Sequence, residues 1–206
     1  MQIAGSATFD PVAKSYGALA DRVARSGAQG VVIGGDPFDG GDRLLKALRA
    51  RLGVRVTIMG GSRFAFAPGV LKQAGRAARG MYATALDLPL TAVPLTATGR
   101  AFARDVGAFS APAQGVLEAG QAADLLMEAI GRSDGTRASV LHELRASEVR
   151  AGIIGSFRFD ANGDMTTASI PIVRITGTTP PCAGLPPDFQ GATVDRVVQV
   201  PTNLVD

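Results

Sequence analysis

The side chains in this chain best suited to chemistry are few and poorly matched to one another. His142 is the single histidine. It falls in Leu141-His142-Glu143 of an expected helix, with no second histidine to share a metal, and no G-x-S-x-G elbow marks a nucleophile. Its simplest reading is a solvent-facing helical residue. Cys182 is the single cysteine, which excludes an intrachain disulfide. It sits in Pro180-Pro181-Cys182-Ala183-Gly184, without a neighbouring His or Lys to stabilise a thiolate, so a catalytic thiol is not expected. Asp160, Asn162 and Asp164 alternate like the start of a calcium loop. Met165 stands where that loop needs glycine and Pro171 where it needs glutamate, so the calcium reading fails and a turn accounts for the polar residues. The residues point to no catalytic group, no metal and no cofactor.

Binding chemistry is better represented. The run Gly34-Gly35-Asp36-Pro37-Phe38-Asp39-Gly40-Gly41-Asp42 follows an expected strand and precedes an expected helix, the setting of a phosphate cradle. It has neither G-x-G-x-x-G nor GK[ST], and its aspartates repel phosphate. Backbone amides with Asp36 suit a polar neutral or zwitterionic ligand, the aspartate accepting from an ammonium and the amides from a carboxylate. Each aspartate reads equally well as a helix cap.

The elements that hold this loop alternate. Residues 1–5 form a short apolar segment, read as a strand, and residues 16–25 a helix. Residues 30–34 (GVVIG) form a buried strand and 43–52 a helix. Residues 54–59 (VRVTIM) form another strand, ending in Gly60-Gly61-Ser62. Such alternation predicts a parallel sheet with crossover helices, whose ligands sit beyond the carboxyl ends of the strands. In the second half, Leu125, Leu126, Ala129 and Ile130 recur at helical spacing until Gly131 and Gly135. Thr136 or Ser139 starts another helix, which buries Val140, Leu141 and Leu144 and ends at Gly152. The period then becomes two: Ile154, Ser156 and Arg158 alternate with Gly155, Phe157 and Phe159. Asn162-Gly163 follows as a tight turn between two strands.

Helix, polar loop, capped helix and the hairpin with Gly155, Phe159, Asp160, Gly163 and Asp164 agree in order and spacing with one family. The segment resembles the C-terminal part of substrate-binding proteins of branched-chain amino-acid ABC transporters, the Leu/Ile/Val-binding, type I periplasmic binding proteins. FDPVAKSYGALADRVARSGAQGVVIGG, residues 9–35, looks like part of the second lobe, and the resemblance runs over residues 1–175. It implies an α/β fold with a type I periplasmic-binding-protein-like parallel sheet and flanking helices. Most of the first lobe has no counterpart, so the two-lobed fold is expected as a truncated C-terminal portion. Residues 1–108 would be second-lobe material, with a surface crossing over 86–98. Residues 109–166 would return to the first lobe, and 167–206 cross back with a tail. Hinge strands are expected near 108–112 and 165–168, a loop over the paired prolines after Gly177, and a last edge strand over 194–200.

The same resemblance implies a solute-binding component of an ABC importer. It would take an amino acid or related small polar ligand by hinge closure and deliver it to a membrane permease. A ligand-sensing domain of a receptor or regulator on the same fold is the alternative. Carried over position by position, the ligand-facing residues are Asp36, Pro37 and Phe38 after the first Gly-Gly strand end, and Gly61, Ser62, Arg63 and Phe64 after the next. Amino-acid binders often carry an acid for the ligand's ammonium near the glycine pair Gly75 and Gly80. Arg76 stands there instead, which favours an acidic or other ligand. Glu118 occupies a position where relatives often have an aromatic or hydroxyl residue. The location implied is periplasmic or extracellular, membrane-associated through an upstream anchor if the full gene product is exported.

Composition bounds the alternatives. The 206 residues carry a formal charge of +3, and aromatic residues make up 5% with no tryptophan. Arg43, Lys46, Arg49 and Arg51 alternate with leucines on one expected helix and read as its solvated face. No basic and aromatic interleaving suited to stacking on bases occurs, so nucleic acid is not an expected partner. No apolar run reaches membrane-spanning length and no signal-peptide pattern opens the chain.

Overall fold

The computed structural model describes residues 2–86, 95–108, 115–177 and 191–201. They fall into two compact units, Met1–Leu86 with Pro171–Val197, and Asp87–Ile170 with Val198–Asp206. The paired-proline loop with Cys182, most of the surface crossing, and the first hinge strand beyond Ala108 lie outside the described residues.

The first unit is α/β. Helix α1 (Gly17–Arg25) leads to β1 (Gly30–Ile33), α2 (Asp42–Leu52) to β2 (Thr57–Gly60), and α3 (Ala67–Ala74) to β3 (Tyr82–Thr84). The three strands are parallel, with Val31 opposite Ile58 and Met59 opposite Tyr82. The sheet continues through β6 (Thr167–Ile175), antiparallel to β3, and ends in β7 (Ala192–Pro201), giving the order β1-β2-β3-β6-β7. β7 is the expected edge strand. Both β6 and β7 pass from one unit to the other, at Ile170/Pro171 and Val197/Val198.

Leucines at helical spacing explain why α2 sits where it does. Leu44, Leu45 and Leu48 are buried with Ala20 of α1, Ile58, Val70, Met81, Val173 and Ile175 in one core. Two expectations change here. Residues 2–5 form no strand, and Ile3 is 80% exposed. One isoleucine among small and polar residues offers no apolar face to pair, and it is Phe9, further on, that meets Tyr16 edge to face at 5.9 Å. β1 is not buried throughout: Val32 is 78% exposed while Ile33 is in the core. An edge strand with one packed face alternates even when its sequence is uniformly apolar.

The basic residues of α2 form a largely exposed face, with Arg49 as the exception. Arg49 donates from Nε to the Ala77 carbonyl at 3.3 Å, and from one terminal nitrogen to Gly53 and Val56 carbonyls at 3.1 and 2.8 Å. Its burial lowers the guanidinium pKa from its ordinary value. Arg43 donates to the Pro11 and Ala13 carbonyls at 2.5 and 2.7 Å and lies over the Tyr16 ring. Arg51 pairs with Asp21 of α1 at 2.6 Å. Arg43, Lys46 and Arg51 are exposed on the helix surface, as the sequence reading has them, and Arg49 is the one that departs from it.

The second unit contains α4 (Ala97–Asp105), α5 (Val116–Arg132), α6 (Arg137–Arg145) and a hairpin of β4 (Glu148–Gly152) and β5 (Gly155–Arg158). α4 packs on α5 and β4 around Leu95, Ala103, Ala108, Leu117 and Ile153. Thr96 caps α4, accepting from the Gly99 amide at 2.8 Å and donating to the Gly152 carbonyl at 2.7 Å, so one hydroxyl ties helix to hairpin. Thr136 caps α6 as expected, accepting from Ser139 N at 3.2 Å. Arg132 of α5 reaches Glu143 and Ser147 at 3.2 and 3.0 Å, which explains how α6 is held.

Gly131 does not stop α5, which runs on to Arg132 with Ser133 as its C-cap. α6 likewise ends at Arg145 rather than at Gly152, because Glu148–Gly152 pairs as a strand with β5. The buried face expected for α6 is absent: none of its residues is fully buried, and Leu141 is 49% exposed. With Ile130 of α5, it and Val140 and Leu144 line an open apolar depression.

The turn after β5 is centred on Asp160, whose Oδ1 accepts from the amides of Asn162 and Asp164 at 2.9 and 3.0 Å. It joins Phe159 to Met165 through one antiparallel bridge, after which the chain enters β6 of the five-stranded sheet. The two-stranded pairing itself lies earlier, between β4 and β5. Gly163 has φ +90°, whereas Asn162 is not left-handed, so one residue and not both carries the positive φ. Gly163→Val should therefore lower stability by about 1 kcal/mol or more in urea unfolding followed by circular dichroism. An unchanged midpoint would mean the turn tolerates a side chain there.

Candidate ligand-binding site

Because β1 and β2 are parallel, the segments leaving their carboxyl ends share one edge of the sheet. After β1 comes Gly34-Gly35-Asp36 and a tight irregular turn, Pro37–Gly41. After β2 comes Gly61, the short turn Ser62–Ala65, and then α3. The first turn stays tight because glycine is needed at Gly41: a Cβ there would lie 2.6 Å from the Asp36 carbonyl oxygen and 2.9 Å from the Phe64 ring.

Asp36 joins the two loops. Its Oδ1 accepts from the Phe38 amide at 2.9 Å and its Oδ2 from Arg63 Nε at 2.8 Å. The capping reading holds, since Asp36 caps the turn after β1, and its second oxygen engages the neighbouring loop. The Phe38 amide holds its carboxyl below the ordinary carboxylate range, burial opposes, and Arg63 adds to the lowering. A folded-state pKa below the unfolded value near about 4 gives a contribution complete above that value and lost as pH falls through the folded one. Acid titration should accordingly release Arg63 only below about pH 4. The arginine Nε–Hε NMR resonance of the wild type should shift there, and that of Asp36→Asn should be flat. A midpoint above pH 5 would contradict the hydrogen-bond geometry.

Arg63 lies over the Phe38 ring, 5.9 Å from its centroid, and Phe38 meets Phe66 at 6.3 Å. Both rings are exposed, at 42% and 41%. Gly69, on the first turns of α3, leaves room for them, since a Cβ there would come within 2.5 Å of Phe66 and 2.8 Å of Phe38. Phe66 is the residue that sequence reasoning missed. Its signal was an aromatic just past the Ser62–Ala65 turn, masked by its neighbours in an ordinary apolar run.

Of the residues singled out, Asp36, Phe38, Gly61, Ser62 and Arg63 come together at this edge, partly or largely accessible. Pro37 and Phe64 are fully buried, Phe64 with its ring against Gly41 and Gly60, so they support the loops from beneath. Arg76 is not brought there. It follows α3 in the turn Gly75–Ala78, at the amino-terminal end of β3, near where Arg49 bonds the Ala77 carbonyl. Glu118 is exposed in the first turn of α5, in the second unit. His142 is exposed on α6, as expected. Among the described residues no group of three or more His, Cys, Asp or Glu could hold a metal ion, and no helix is long and apolar enough to cross a membrane.

A parallel βαβ sheet with loops converging at its carboxyl edge is the frame of a ligand-binding α/β protein. Residues 1–179 match the family model described as periplasmic binding protein, and the chain belongs to that family. No curated protein matches it. Among solved structures it is similar to a leucine binding protein from Thermotoga maritima (TM-score 0.64, 19% identity, 91% of this chain and 49% of that one). A putative branched-chain amino acid ABC transporter protein from Rhodospirillum rubrum gives TM-score 0.60 and 21% identity over 81% of this chain and 47% of that one. A solute binding protein from R. palustris in complex with 4-hydroxybenzoate gives TM-score 0.59 and 13% identity over 93% of this chain and 51% of that one. At these identities the likeness is one of fold. The chain spans about half the length of these proteins.

Proposed function

We propose that this chain is ligand-binding material of a solute-binding protein that serves an ABC importer. In that reading it takes up a small polar molecule by closure of two hinged lobes and presents it to a membrane permease, in the periplasm or at the outer face of the cell. The observation that carries the reading is the pair of loops at the carboxyl edge of β1 and β2, with Asp36 and Arg63 engaged across them beside two accessible phenylalanine rings. Polar groups convergent on an apolar shelf are what a small-molecule site requires. The neighbours favour the same class of function. Their named ligands include leucine and 4-hydroxybenzoate, so the family context admits both amino acids and aromatic acids.

We assign the first compact unit to the second lobe and the second unit to the returning segment of the first lobe. α4, expected with the former, then goes with the latter. The ligand contacts proposed are Asp36, Phe38, Gly61, Ser62 and Arg63, joined by Phe66. Pro37 and Phe64 act as supports, and Arg76 and Glu118 drop out of this wall of the site.

Calorimetry against amino acids, their amides and short carboxylates tests the reading. Binding of one class, weakened by Ser62→Ala or Asp36→Ala while other classes give no heat, is the result expected. Binding unaffected by both substitutions would place the ligand elsewhere and overturn the assignment.

A further inference from the structure

Arg63 is held unusually well for a residue so exposed. Its Nε donates to Asp36 Oδ2 at 2.8 Å and its guanidinium lies over Phe38, while two thirds of its side chain is accessible. Among the described residues its two terminal nitrogens have no partner. An arginine bonded through Nε and lying over a ring is biased toward that rotamer. The fork of its terminal N–H groups is then already oriented for a planar anion. Beside it lies an apolar shelf, Phe38 and Phe66 with centroids 6.3 Å apart, kept open by the missing side chain of Gly69.

Asp36 is poorly placed to receive an ammonium. Its negative charge is already paired with the Arg63 guanidinium, and a cation approaching it would meet that like charge at the same spot. Asp39 and Asp42 follow on the same loop, but Asp42 is in the first turn of α2 and Asp39 is exposed on the turn before it.

Resting on the reading of this edge as the solute site, we infer that Arg63 is its carboxylate-recognising residue and that the ligand is an acid with a ring-sized apolar body and no ammonium group. The carboxylate pairs with the terminal nitrogens of Arg63 and the body lies against Phe38 and Phe66. Specificity follows from the pairing of one cation with one apolar shelf: an amide loses the charge-assisted bonds, and a zwitterion brings a cation next to a guanidinium.

The test is an NMR titration of the ¹⁵N-labelled 206-residue chain with benzoate, 3-phenylpropionate, benzamide, L-leucine and L-phenylalanine. Chemical shifts would be followed at the Phe38 and Phe66 amides and at Arg63 Nε. The acids should bind at least about tenfold more tightly than benzamide and the amino acids, as expected for charge-assisted hydrogen bonds. Arg63→Gln should reduce the acids to the level of benzamide, and Arg63→Lys, which keeps the charge but not the fork, should fall between. Tyrosine fluorescence of both variants should match the wild type, since Arg63 is outside the core. If L-leucine or L-phenylalanine perturbs the same resonances at lower concentration than the acids, the ligand class is wrong and the site stands. If every probe leaves Phe38, Phe66 and Arg63 unmoved, both the class and the site reading fail. Equal binding of acids to wild type and Arg63→Gln would remove Arg63 from recognition.

Discussion

Phe64→Ala should be the most damaging single substitution at the candidate site, lowering stability of the first unit by about 3–5 kcal/mol. Phe64 is fully buried, and its ring fills the space that side chains at Gly41 and Gly60 would otherwise occupy. Those glycines sit at the turn after β1 and the end of β2, so the ring is a wedge on which both loops rest. Truncation leaves a cavity beneath the two loops that the hydrogen bond between Asp36 and Arg63 joins. Both tyrosines of the chain, Tyr16 and Tyr82, lie in the first unit and tryptophan is absent, so tyrosine fluorescence in a urea titration reports on this unit alone. Arg63→Ala in the same assay should move the midpoint little, because that side chain is exposed. A Phe64→Ala variant as stable as wild type would mean the loops do not depend on the core beneath them.

Arg49→Ala should cost about 2–3 kcal/mol, an effect expected of a core residue and not of a charged residue on a helix surface. Its guanidinium satisfies the carbonyls of Gly53, Val56 and Ala77, which belong to the end of α2, the entry to β2 and the turn before β3. Removing it strips these carbonyls at once. Arg49→Lys should recover only part of the loss, since one ammonium cannot span the positions that a planar fork reaches. The same tyrosine-monitored unfolding measures both variants. A cost below about 0.5 kcal/mol for the alanine would return Arg49 to the solvated face that helical periodicity assigned to it.

These two residues mark where a linear reading of this chain succeeds and fails. The spacing of Leu44, Leu45 and Leu48 was enough to place α2 and orient its apolar face, because burial of one face is a periodic property that a short window contains. The same window makes Arg49 look solvated, since its three carbonyl partners come from turns further along the chain. β3, three residues long, carries no period. It exists because β2 and β6 pair on either side of it. Glu148–Gly152 reads as the end of a helix until β5 supplies its ladder partner, and Val32 reads as buried until the strand proves to be an edge.

At the site the division is similar. The alternation of strand, Gly-rich loop and helix determined by itself that Asp36 and Ser62 would stand at the carboxyl edge of neighbouring parallel strands, because crossover connections allow little else. The resemblance carried by helix, polar loop, capped helix and hairpin in that order pointed to the family without any contact being known. Tertiary structure alone decided which loop residues are accessible. It sent Pro37 and Phe64 into the core and Arg76 to the far end of α3, and it set Phe66 beside Phe38. It also engaged Asp36 with Arg63, 27 residues away along the chain. The physical reason is that secondary structure follows from local periodicity and backbone preference, whereas which side chain meets which depends on packing between segments distant in sequence.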